Sequence, residues 1–117
     1  MSTLTASVKN LLAKVGVATD EDLLTSAVAN HGKALGVVDL GLWTALQDYA
    51  GAEQDYHHAL CSLATDAAKE IKALEDGNST NSTWMTSHAA QATEAGSKMA
   101  VAVTTIRAMV QVRKTLV

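Results

Sequence analysis

No proline interrupts the 117 residues, and from Asp20 to about Asp76 apolar side chains recur at a near-heptad rhythm. The series runs Leu24, Val28, Leu35, Val38, Leu42, Ala45, Tyr49, Ala52, Tyr56, Leu60, Leu63, Ala67, Ile71 and Leu74, with His31 on the same stripe. A repeat of that period keeps one side of a helix apolar for its whole length, so it predicts a long helix over residues 20–76. Only Gly32, Gly36, Gly41 and Gly51 weaken the run, each by up to about 1 kcal/mol against alanine. They predict either a bend near residues 32–41 or a place where another helix packs closely.

Two further helices follow from the same kind of evidence. Leu4, Val8, Leu11 and Val15, widened by Leu12, make an amphipathic helix over residues 1–16, which Gly16 ends. Thr19, with Asp22 three residues on, has the form of a capping box that starts the long helix. Beyond Gly77, the polar run NSTNST marks a turn near Asn78 to Asn81, and Ser82 or Thr83 is placed to cap a second long helix over residues 82–117. There Met85, His88, Ala92, Ala95, Met99, Ala102, Ile106, Met109 and Leu116 alternate at steps of three and four, broken only by Arg113.

The expectation is a single all-α domain, a long antiparallel coiled-coil-like helical hairpin with a short N-terminal amphipathic helix. In that hairpin partner positions sum to about 160, which sets Glu53 opposite Arg107 and Asp48 near Arg113 and Lys114. Two helices carry more apolar side chains than they can bury between them, so the fold is expected to be completed by dimerisation. The residues expected at that interface are Leu35, Val38, Leu42, Trp43, Leu46, Val103 and Val110.

Composition narrows the function. A net charge of −3, with nine basic and twelve acidic residues, gives no overall positive field to hold a nucleic acid. The uncharged apolar stretches fall short of the roughly 20 residues of a membrane-spanning helix, and the N-terminus lacks a secretory signal pattern. A cytoplasmic protein, soluble or peripheral to a membrane, is expected. The two Asn-Ser-Thr sequons at Asn78 and Asn81 then mark only a polar turn. Cys61, the single cysteine, is expected as a small core hydrophobe.

No catalytic constellation is present. Glu53, His57 and His58 lie close together on one helix, but His31 and His88 fall far away, short of the convergent ligands that zinc needs. No metal, cofactor or enzymatic activity is expected. What remains is binding. The stripe Leu4, Val8, Leu11, Leu12 and Val15 either inserts into a lipid interface, with Lys9 and Lys14 meeting anionic headgroups, or packs on the hairpin as a third helix. Arg107, Arg113 and Lys114 either face a membrane or pair with Glu53 and Asp48.

The segments ASVKNLLAKVG, ATDEDLL, AVANHGKALGVV and LWTALQDYAGAEQDYHHAL, over roughly residues 5–60, resemble the start of a BAR domain of the amphiphysin and endophilin type. The resemblance implies a membrane-remodelling scaffold, a crescent-shaped homodimer that binds anionic membranes through basic residues and inserts its leading helix. The positions that carry over are Lys9, Lys14 and the Leu4 to Val15 stripe. The chain departs from that family in having two long helices instead of three, in its net acidity and in the absence of proline-marked kinks. A coat, filament or secreted-hairpin subunit, or a coiled-coil adaptor, is the alternative.

Overall fold

The computed structural model describes residues 6–78 and 83–117. Among them are four α-helices and no strand: α1 (Ala6–Lys14), α2 (Asp20–Ala29), α3 (Ala34–Glu75) and α4 (Thr83–Leu116). The molecule is 65 Å long and about 20 Å across. Its spine is the α3/α4 hairpin, and α1 and α2 fold back over one end of it. Leu4, Ser82 and most of the expected turn lie outside the described residues.

The helix ends expected at Gly16, Thr19 and Gly77 form. α1 closes with the paired bonds Val17 N–H to Leu12 carbonyl and Gly16 N–H to Ala13 carbonyl, and both Val17 and Leu12 enter the core. Asn78 and Gly77 close α3 the same way, donating to the Ala73 and Leu74 carbonyls. At the start of α2 the Thr19 hydroxyl accepts from Asp22 N–H at 3.2 Å, and the Asp22 carboxylate accepts from Thr19 N–H at 3.1 Å. Thr19→Ala removes this reciprocal cap and is expected to cost about 1 kcal/mol. A thermal melt will show a fall of roughly 3–6 °C, whereas an unchanged midpoint will mean that packing alone holds α2.

The single helix expected over residues 20–76 is instead two. It breaks at residues 30–33, where Gly32 takes φ +80°, a conformation costly for any residue with a Cβ. The chain reverses there, and α2 runs antiparallel along α3, with Ser26 beside Asp39 and Asp20 beside Gln47. Gly36 makes the close approach possible: a Cβ at this position lies 2.3 Å from the Asn30 carbonyl oxygen. The glycines thus serve both expected roles, Gly32 the bend and Gly36 the contact.

The hairpin register also differs from expectation. Asp39 meets Arg113, Gly41 meets Met109, Tyr56 meets Gly96 and Asp66 meets His88, so partner positions sum to 150–154 instead of 160. Consequently Asp48 is not the partner of Arg113. Glu53 is buried, Arg107 is exposed, and no ion pair joins them.

The core is uneven along the hairpin. At the four-helix end Val8, Leu12, Val17, Leu23, Leu42, Leu46, Tyr49, Ile106 and Val110 pack into one cluster. Toward the turn, the buried apolar residues are Ala50, Ala52 and Ala59 against Ala92 and Ala95. Alanine lets two helices approach closely, but each buries only a methyl group, about 0.8 kcal/mol per carbon. Large apolar side chains of this arm, Leu60, Ile71, Leu74 and Trp84, stay exposed. Cys61, expected in the core, is exposed on α3.

Candidate functional site: a basic cleft beside a buried ion pair

Arg113 interrupts an apolar stripe in the sequence, and the structure places it in the interior together with Asp39. Asp39 has a fully buried side chain and that of Arg113 is 10 % exposed. Arg113 donates from Nε to Asp39 Oδ1 at 2.5 Å, from one terminal nitrogen to Asp39 Oδ2 at 3.4 Å, and from the other to the Val15 carbonyl at 2.8 Å. The Ser26 hydroxyl donates to Asp39 Oδ2, and Asn30 Nδ2 donates to the Ser26 carbonyl at 2.9 Å. The Arg113–Asp39 pair therefore joins the end of α1, α2, α3 and α4. A planar fork suits this task, because it satisfies a carboxylate and a carbonyl together.

Arg113 was expected among the membrane-facing or surface-paired residues, and that expectation is corrected: its donors are committed inside the fold. The remaining basic residues at this end converge outside it. Lys14, Arg107 and Lys114 line a cleft of about 330 Å³ between α1 and α4, with Leu11, Ala108, Val110 and Gln111. All three cations are exposed, and no acidic residue lines the cleft. Lys14 and Lys114 also border the adjoining depression at Val15 and Val117. Lys9 is exposed on α1 and does not line the cleft.

Of the two readings of the amphipathic stripe, the structure has the packed one. Val8 and Leu12 are 0 % and 1 % exposed, and Leu11 and Val15 pack against the same core. The expected self-association residues are also taken up within the chain: Leu42, Leu46 and Val110 are buried, and Leu35, Val38, Trp43 and Val103 are half-buried. The cause is the break at residues 30–33, which supplies two covering helices where the sequence offered one. Apolar surface is left elsewhere, at Val37, Leu40, Val101 and Val112 and on the distal arm.

The histidines do not assemble a metal site. His57 and His58 are exposed, with the His57 ring edge-on to Tyr56, while Glu53 is buried. No group of three metal-ligating side chains occurs among the described residues. His88 and Asp66 instead form a link across the distal arm, with Trp84 stacked on His88 at 6.3 Å. Sequence reasoning missed both polar links. Their signal was a polar residue on an apolar stripe: Arg113 and His88 were noted there, but the shifted register hid their partners. No described helix is long and apolar enough to cross a membrane. In comparisons with family models, curated proteins and solved structures, the chain matches none.

Proposed function

We propose that the chain is a non-enzymatic helical scaffold that binds anionic membrane surfaces peripherally, in the BAR-like manner that the sequence resemblance implies. The observation that carries this reading is the convergence of Lys14, Arg107 and Lys114 on one cleft free of acidic residues, in a protein whose net charge is negative. Each basic residue near an anionic leaflet contributes about 1 kcal/mol. Local concentration of the few cations therefore matters more than the total charge.

The reading differs from a leading helix that inserts. Val8 and Leu12 already sit in an apolar core, so moving them into lipid exchanges one apolar environment for another and gains little transfer energy. Contact through the charges of a docked α1 needs no such exchange. The buried ion pair also supports a structural role, since Asp39 is held by Arg113 inside the fold.

Co-sedimentation with vesicles containing phosphatidylserine tests this. Wild type is expected in the pellet at low salt and increasingly in the supernatant as ionic strength passes the physiological range, because these exposed charges are screened within about 10 Å. The double reversal Lys14→Glu with Lys114→Glu is expected to weaken binding at least about 30-fold, from two contributions of about 1 kcal/mol each. Wild type that stays in the supernatant with phosphatidylserine vesicles at low salt overturns the reading.

A further inference from the structure

On the hairpin, a groove of about 650 Å³ is lined by Ala45, Asp48, Gly51 and Asp55 of α3 and by Glu94, Lys98 and Val101 of α4, among others. Gly51 lies well inside the 42-residue α3, yet a Cβ there has nothing within 4 Å. Each of the other described glycines has either a positive φ or a neighbouring atom within 4 Å of the Cβ position. Gly16, Gly32 and Gly77 take positive φ, and Gly36, Gly41 and Gly96 are approached by neighbouring atoms. The open space above Gly51 leaves room for another backbone or side chain to come close. Across the groove at the same level, by the hairpin register, stands Val101, 67 % exposed.

We propose that the groove seats a second copy of this chain, the two packing groove to groove about a two-fold axis parallel to the hairpin. That operation lays α4 of each copy over α3 of the other without changing level, so Val101 of each enters the space above Gly51 of its partner. The charges select the same arrangement. Lys98, which also pairs with Glu94 of its own helix at 3.5 Å, then faces Asp55 of the other copy, whereas a two-fold axis perpendicular to the hairpin would set Asp48 over Asp55. Knob, hole and both signs of charge are thus present on one face, as an isologous interface requires. A face on a molecule 65 Å long and 20 Å wide is larger than the roughly 800 Å² per partner of a stable complex. The pairing does not depend on the membrane reading, because the basic cleft and this groove share no lining residue.

Sedimentation velocity on the purified chain over a range of concentrations tests the pairing. Wild type is expected to be dimeric at tens of micromolar. Gly51→Leu and Val101→Glu are each expected to raise the dimer dissociation constant at least about 30-fold, with helical circular dichroism retained because both positions are exposed. Asp55→Lys and Lys98→Glu are each expected to weaken self-association. An equal mixture of those two variants is expected to recover the dimer, since the introduced lysine of one then meets the introduced glutamate of the other while the native pair forms on the second side. A monomeric wild type, which leaves the groove to some other protein, overturns the proposal. So does a dimer indifferent to Gly51→Leu and Val101→Glu, or a mixture no tighter than its components.

Discussion

Arg113→Met will destabilise the fold by about 3–5 kcal/mol. The substitution keeps much of the side-chain volume but leaves the Asp39 carboxylate fully buried with only the Ser26 hydroxyl for company. An uncompensated interior charge is far more costly than the pair it came from. It also strips the Val15 carbonyl of its donor and so loosens the end of α1. Against a typical total of about 5–15 kcal/mol, the loss amounts to a fifth or more of the stability. Urea unfolding will report it as a lower midpoint. The double variant Asp39→Asn with Arg113→Met removes both charges and retains a group that can accept from Ser26, so it is expected to be less destabilised than Arg113→Met alone. A double variant at least as unstable as Arg113→Met would mean that the two side chains matter for shape and not for charge.

Gly36→Ala is expected to cost at least about 2 kcal/mol, against the direction of helix propensity. In an open helical position the same change stabilises by up to about 1 kcal/mol. At Gly36 the new Cβ would lie 2.3 Å from the Asn30 carbonyl oxygen, 2.8 Å from its carbon and 3.1 Å from the Ala27 carbonyl oxygen. Those atoms belong to the last turn of α2 and the loop after it, so relief requires the whole helix to move away from α3. The Ser26 to Asp39 bond and the buried face of Leu23 and Ala27 would move with it. Gly51→Ala is the comparison, measured at dilutions where the chain is monomeric: nothing within the chain opposes it, and it is expected to raise the melting temperature. Should Gly36→Ala raise it as well, α2 does not pack as closely as the structure has it.

How the cleft came to be legible in part follows from the same residues. The sequence offers Lys9 and Lys14 to a membrane, and Arg107 and Lys114 either to a membrane or to Glu53 and Asp48; the fold gathers Lys14, Arg107 and Lys114 and leaves Lys9 outside the cleft. Arg113, one residue from Lys114, looked equivalent. It occupies the stripe position instead of a flank, and a guanidinium forced inward by helical phase must find a carboxylate there. The phase was readable, whereas the identity of the carboxylate depended on the hairpin register.

By itself the sequence determined the local matters: where helices start and stop, which side of each is apolar, and that the chain is an all-helical hairpin. These depend on interactions within a few residues, such as the Thr19 and Asp22 cap or the Gly16 and Gly77 closures, and on spacing that repeats with the helical turn. Only the tertiary structure decided what covers each apolar face. Periodicity says that a face must be buried, and it is silent on whether α1, α2, α4 or another molecule buries it. One left-handed residue at Gly32 and one missing Cβ at Gly36 turned part of the long helix back onto itself, and so moved Leu42, Leu46 and Val110 from a surface awaiting a partner into a core that α1 and α2 close.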